Sequence, residues 1–184
     1  MRILKVLFIV LLFFLSGAIS AQDSISHPVK PDVLSFGVGF GFDYGGIGGN
    51  LTAYPTKNVG LFAGAGWAIA GIGYNAGVKV RFLSGKPKSA LTFSGIAMYG
   101  YNSVVVVVGD SRHNKIFYGP TVGVGLDFKL KPESIGYWTV SLLVPIRSSE
   151  YRDYMDDLEL NEGVEFKGRL RPIGVTFGYR FIIF

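Results

Sequence analysis

Few residues in this chain are equipped for chemistry. Of 184 residues only two are histidine, His27 and His113, and none is cysteine. His113 ends the run Asp110-Ser111-Arg112-His113, which supplies the residue types of a nucleophile and its base. A triad needs those groups aimed from separate backbone positions, and four contiguous residues aim them poorly. A second cluster is acidic: Asp153, Asp156, Asp157, Glu159, Glu162 and Glu165 fall between Arg152 and Lys167. Hard cations such as Ca2+ or Mg2+ take clustered carboxylate oxygens. The spacing here matches no EF-hand loop, however, and a solvated acidic loop is the simpler reading. The third set is Lys79, Arg81, Asp127 and Arg180, isolated charges within otherwise uncharged stretches. No zinc spacing, phosphate loop or redox motif is present, so neither a metal nor a cofactor is expected.

The elements that hold these groups announce themselves by a period of two. Leu34, Phe36, Val38, Phe40, Phe42 and Tyr44 share one phase, while Ser35, Gly37, Gly39, Gly41 and Asp43 fill the other. Side chains alternate across a strand, so one face is bulky and apolar and the other nearly bare. Seven further segments repeat the pattern: Ile47 to Ala53, Val59 to Ile69, Tyr74 to Phe82, Leu91 to Tyr101, Ile116 to Phe128, Trp138 to Ile146 and Ile173 to Ile183. The sequence therefore predicts eight strands. Its 26 glycines argue against a helical bundle, since each weakens a helix by roughly 1 kcal/mol relative to Ala.

The connections alternate as well. Pro55 to Asn58, Ser84 to Ser89 and Lys131 to Ser134 are compact turn chemistry. The other set is short near Gly45 and Gly71 and long at Gly109 to Lys115 and Arg147 to Arg169. An even strand count leaves both termini on the side of the compact turns.

Residues 1–21 read as a secretory signal peptide. Arg2 and Lys5 make a basic start, Val6 to Leu15 is unbroken apolar sequence, and Ser16 to Ala21 is a small-residue exit. The apolar stretch is too short to cross a bilayer as a helix, which takes about 20 residues. Residues 22–33 form a polar linker, and 34–184 form the barrel. The formal charge is +5, and loss of Arg2 and Lys5 leaves about +3, too little, without a basic cluster, to suggest a nucleic-acid partner.

Volume decides which face of the sheet looks outward. An eight-stranded barrel has an interior only just wide enough for its own side chains. Trp67, Tyr74, Tyr99, Tyr101, Tyr118, Trp138 and the many Phe and Val residues of the apolar phase would overfill it, whereas the glycine-rich phase fits. The apolar phase then covers an outer surface on the order of ten times the apolar patch of a soluble monomer. Lipid accommodates that surface, and closure pairs every backbone amide as hydrocarbon demands. Tyr44, Trp67, Tyr74, Tyr99, Tyr101 and Tyr118 fall toward the outer ends of their strands, and Phe36, Phe82, Phe93, Phe128, Trp138 and Phe181 toward the inner ends. These are the places for two interfacial girdles. The fold class is thus all-β: an eight-stranded antiparallel up-and-down transmembrane β-barrel. A soluble lipocalin-like carrier, with its apolar face inward, is the competing class.

In its alternation, loop asymmetry, signal peptide and C-terminal Phe, the chain resembles the small outer-membrane barrels of the OmpA/OmpX type over Leu34 to Phe184. The resemblance implies outer-membrane location with both termini in the periplasm, contact with membrane lipid and lipopolysaccharide, and recognition by the barrel-insertion machinery. Phe184 and Ile182 match the terminal signal that the machinery reads. Gly178 and Arg180 occupy the same phase and break it, so either the signal is degenerate or, the preferred reading, the final residues shift register. Some such barrels modify lipid A, using His with Ser or acidic partners; this chain lacks a His-x-Ser pair on a strand, and no catalytic residue is assigned.

Lys79, Arg81, Asp127 and Arg180 are expected in the lumen near its periplasmic end, as a salt-bridged filling in which Asp127 has a basic partner. Val104 to Val108, five consecutive valines, break the alternation and predict either an extension of the fifth strand beyond the membrane or a locally packed loop stem. With the residues to Lys115 it could meet a surface protein partner by strand addition. The expected role is structural or adhesive, exerted through the outer loops. A narrow channel and a lipid-modifying enzyme are the alternatives.

Overall fold

The computed structural model describes residues 32–84, 91–107, 111–130, 134–161 and 173–183. The signal segment, most of the linker, Asp110, Glu162, Glu165 and Phe184 lie outside the described residues. Eight antiparallel strands form one sheet: β1 (Leu34–Gly41), β2 (Gly46–Ala53), β3 (Val59–Trp67), β4 (Ile72–Ser84), β5 (Leu91–Val105), β6 (Lys115–Phe128), β7 (Gly136–Pro145) and β8 (Gly174–Ile182). Each pairs with its neighbour in chain order, and β1 pairs with β8 to close a barrel. Closure leaves no sheet edge over the shared length of the strands. No described helix is long and apolar enough to cross a membrane, a test that does not address strands.

The two phases read from the sequence occupy opposite faces. Phe36, Val38, Phe40, Leu51, Leu61, Val124, Leu142 and Val175 are all more than 40% exposed on the outside. Ser35, Asn50, Thr52, Ser94, Thr121, Thr139, Ser141 and Thr176 are buried inside. Trp67, Tyr74 and Tyr99 extend outward near the end opposite the termini, the distal end, where Tyr74 stacks on Tyr118 with ring centroids 4.6 Å apart. Toward the proximal end Phe36, Phe93 and Phe181 are outward, and Trp138 stacks on Phe177 at 5.0 Å.

Some expectations change. Phe42 and Tyr44 do not continue β1. Phe42–Tyr44 is a single 3-10 turn, and Tyr44 is fully buried inside the barrel rather than on an outer girdle. The turn can fold inward because Gly45 and Gly46 adopt φ of +67° and +109°, a region open to glycine at little cost. Tyr101 also leaves the girdle: its ring lies 5.5 Å from that of Phe42, beside a register shift in the β5–β6 pairing between Tyr101 and Ser103. Phe62, Ile96, Met98 and Leu143, on strand positions facing the lumen, form a buried apolar cluster with Phe42 packed against it. The interior is therefore not lined by glycine and small polar groups alone. Pairing of β8 with β1 runs in continuous register through Ile182, opposite Ser35, so no shift occurs among the described residues.

The acidic segment expected as a loop contains a helix, α1 (Ser149–Asn161). Ser148 caps it, its hydroxyl accepting from the Tyr151 amide at 3.4 Å. Tyr151 and Leu158 are buried with Val105 and Phe117, and Tyr154, Met155 and Val107 pack around them. The valine run extends β5 as read: Val104 pairs with Ile116 and Val105 with Lys115, beyond the point where pairing with β4 ends at Asn75 and Gly100.

Candidate functional site

The isolated strand charges Lys79, Arg81, Asp127 and Arg180 turn toward the inside of the barrel. Lys79 on β4 and Asp127 on β6 are both buried and form an ion pair at 2.7 Å. Neither strand adjoins the other; β5 stands between them, so the pair bridges the lumen rather than one hairpin. Arg180 on β8 is among the largest fully buried side chains. Its guanidinium donates to the Thr52 hydroxyl and the Asn50 side-chain oxygen on β2, two strands away, and lies 5.9 Å from the centroid of the Tyr44 ring. Arg81 pairs with Asp32, which precedes β1, at 2.5 Å and donates to the Tyr137 hydroxyl at 3.3 Å. Tyr137 in turn donates to Asp32 at 2.8 Å and meets Ser35 at 3.5 Å. Burial pushes the phenol of Tyr54, in the turn after β2, above its ordinary range; its ring carries the Arg81 guanidinium 3.6 Å from the centroid. The four charges thus fall into three hydrogen-bonded groups. Lys79 and Asp127 are one group, Arg180 a second, and Arg81 with Asp32 a third.

The inward turn completes the filling. Asn50 donates its amide to the carbonyl of Asp43 at 2.6 Å, and Asn75 donates to the carbonyl of Phe42. A Cβ built on Gly37 would stand 3.1 Å from the Tyr44 hydroxyl, one on Gly39 would stand 2.9 Å from its ring, and one on Gly178 would overlap the hydroxyl. Glycine at these positions leaves room for Tyr44, while Gly39 also lies against the β8 backbone at Phe177 and Gly178, and Gly37 against Arg180. Sequence reasoning saw the glycines and assigned them to a narrow lumen. It missed their occupant, although Gly45-Gly46 after Phe42-Asp43-Tyr44 is a visible signal for a tight reversal.

At the distal end α1 lies against the extension of β5 and β6. Phe117 meets Tyr151 edge-on at 5.3 Å, the Tyr154 hydroxyl donates to the His113 carbonyl at 2.8 Å, and Lys115 pairs with Glu150 at 2.9 Å. The exposed side of the helix carries Asp153, Asp156, Asp157 and Glu159. Among the described residues no group of three or more His, Asp or Glu is arranged to hold a metal ion. Ser111–His113 is a single 3-10 turn. A cavity of about 260 Å3 at the distal mouth is lined by Phe42, Tyr101, Asn102, Ser103, Val104, Arg147 and Ile173. Within it Arg147 donates to the Ser103 hydroxyl at 3.2 Å.

Fold and interior together define a closed eight-stranded barrel, apolar outside and filled inside, with a helix-braced hairpin at its distal end. No family model matches the chain, and no curated protein matches it. A likeness exists among solved structures to the N-terminal β-barrel domain of Pseudomonas aeruginosa OprF, at 13% identity and a TM-score of 0.46, covering 80% of this chain and 95% of that one. The architecture described above rests on the strand pairing and not on that likeness.

Proposed function

We propose that this chain is an integral outer-membrane β-barrel protein, exported by its N-terminal signal and inserted with both termini in the periplasm, and that it acts without catalysis through its distal elements. One observation carries the reading: the outward residues of the closed sheet are Phe, Val, Leu, Ile, Trp and Tyr, while the strand charges Lys79, Asp127, Arg81 and Arg180 are turned inside and partnered. Water would meet that exterior at a large cost, since each buried CH2 gains about 0.8 kcal/mol, whereas hydrocarbon would not. In this reading membrane lipid and lipopolysaccharide surround the wall, whose outward Phe, Val and Leu residues suit them, and the barrel-insertion machinery is a partner.

The distal platform is the surface-active part in this reading. The β5–β6 extension stands beyond the last β4 pairing, and α1 stiffens it through Phe117, Tyr151 and Leu158. A rigid, partly acidic platform suits contact with a surface protein better than chemistry on a lipid. The test has two readouts. Protein from an outer-membrane fraction should migrate faster on a denaturing gel unheated than boiled, because a closed barrel resists the detergent. External protease should reach the α1 region on intact cells. Equal migration with and without heating, or recovery in the soluble periplasm, would overturn the membrane reading. Cleavage of α1 only after cell lysis would overturn the surface role.

A further inference from the structure

We propose that the cavity at the distal mouth is a binding site for a small aromatic carboxylate, with Arg147 as the partner of the acid group. Its position follows from strand phase. On β6, Phe117 shares the inward phase of Thr121 and Asp127, and α1 packs on Phe117. The helix therefore lies on the lumen side of the β5–β6 extension, above the mouth. Arg147 lines the cavity with its guanidinium 5.3 Å from the centroid of the Tyr151 ring, at the root of α1. Phe42, carried inward by the β1–β2 turn, lines it from below. The space of about 260 Å3 thus lies between the turn and the helix.

One end of the cavity is polar and organised in advance. Asn102 and Ser103 are both buried. Asn102 donates its amide to the carbonyls of Ile146 at 3.2 Å and Pro120 at 3.4 Å. The Ser103 hydroxyl donates to the Asn102 side-chain oxygen at 3.2 Å, and Arg147 donates from Nε to the Ser103 hydroxyl. A Cβ at Gly119 would stand 2.8 Å from the Asn102 amide, so glycine there leaves room for the series. The guanidinium is held at the cavity wall through Nε, and its planar fork is the shape that a carboxylate matches with two parallel hydrogen bonds. Among the described residues Arg147 is the single charge lining the cavity, and a lone cation in a partly enclosed cleft draws anions.

The other end is apolar. The rings of Phe42 and Tyr101 stand 5.5 Å apart with their planes 53° to one another, and Val104 and Ile173 complete the wall. Tilted rings offer both an edge and a face to a third ring. Pockets for drug-sized ligands begin at about 300 Å3, so this smaller space suits one ring on a short acid arm and not a long acyl chain. The site is separate from the proposed contact with a surface protein but touches the same helix: Arg147 meets Tyr151, and an occupied cavity steadies α1.

Full-length barrel in lipid nanodiscs, shown to be folded by heat-modifiable migration, would be titrated calorimetrically with phenylpropanoate, with protein-free nanodiscs as the blank. Saturable binding is expected. It should weaken at least tenfold in Arg147→Gln, and equally when the parent is given phenylpropanamide, the neutral analogue; that second arm needs no variant and stands should Arg147→Gln fail to fold. Val104→Trp, which fills the apolar end, should abolish binding, and Asp153→Asn, on the exposed side of α1, should leave it unchanged. Saturating phenylpropanoate should slow protease cleavage near α1 at least threefold in the parent and not in Arg147→Gln. A folded parent without saturable binding overturns the site. Equal affinity for the amide, or an unchanged Arg147→Gln, overturns Arg147 as the partner of the acid. Full binding by folded Val104→Trp moves the ligand elsewhere and overturns the cavity, and tighter binding of octanoate than of phenylpropanoate overturns the aromatic assignment. Cleavage that ignores the ligand overturns the link to α1.

Discussion

Lys79 and Asp127, 2.7 Å apart and buried, illustrate what the lumen asks of single residues. Leaving one buried charge without its partner costs about 3–5 kcal/mol, whereas replacing both by apolar groups of similar volume is often neutral. Asp127→Ala should accordingly lower the urea midpoint of the barrel sharply, and Lys79→Met/Asp127→Leu should recover most of the loss. A double variant no more stable than Asp127→Ala would show that the pair does not act as a unit. Tyr44 supplies the second test at this scale. Gly37→Leu should destabilise by about 1–3 kcal/mol through overpacking, because its side chain meets Arg180 and the Tyr44 ring and hydroxyl. In a Tyr44→Ala background the same leucine should fill the vacated space and be less harmful than in the parent, a coupling that a double-mutant cycle in urea measures directly. The charges were legible in the sequence as lumen residues because each falls in the phase opposite the bulky series. Their partners were not, because Asp32, Asn50, Thr52 and Tyr137 lie on strands or segments far from them in the chain.

Strands were the most legible elements, and the reason is physical: a sheet with unlike faces writes its period into the residue types. All eight segments read by alternation correspond to strands, with boundaries that moved where a local feature intervened. β1 ends at Gly41 because the chain turns inward there, and β5 runs to Val105 because the register shift near Asn102 lets the valine run stay paired with β6. Helix α1 was missed, although Tyr151, Tyr154, Met155 and Leu158 carry helical spacing behind Ser148. Its acid-rich exposed face dominated the composition, and a helix of 13 residues owes its stability to the surface it packs on. That surface, Val105 with Phe117, exists only once β5 and β6 are paired. Leu158→Ala should weaken the docking by about 2–5 kcal/mol. The measurement is protease cleavage near α1, expected to speed up at least tenfold while the barrel keeps its heat-modifiable migration. Simultaneous loss of both would show that α1 is needed for the barrel itself.

At the scale of the molecule the barrel is inverted: the packed side is largely polar and glycine-rich, and the exposed side is apolar. Such a chain reports the solvent for which it is built. A lipid-facing wall tolerates a charge poorly at mid-height, so Val38→Arg or Val124→Arg should cost about 2–4 kcal/mol in a bilayer, and the same change near a strand end about 0–1. Refolding yields and urea midpoints in vesicles would show the gradient. What composition alone left undecided was the content of the lumen, since glycine reads equally as empty space and as room for a side chain from elsewhere. The most direct test of the inversion uses the absence of native cysteine. Single cysteines at Val38, Val124 and Leu142, each spin-labelled in the barrel reconstituted in vesicles, should collide readily with membrane-dissolved oxygen and be shielded from an aqueous nickel chelate. Labels at these three sites that respond to the nickel chelate and not to oxygen would contradict a barrel whose bulky residues face lipid.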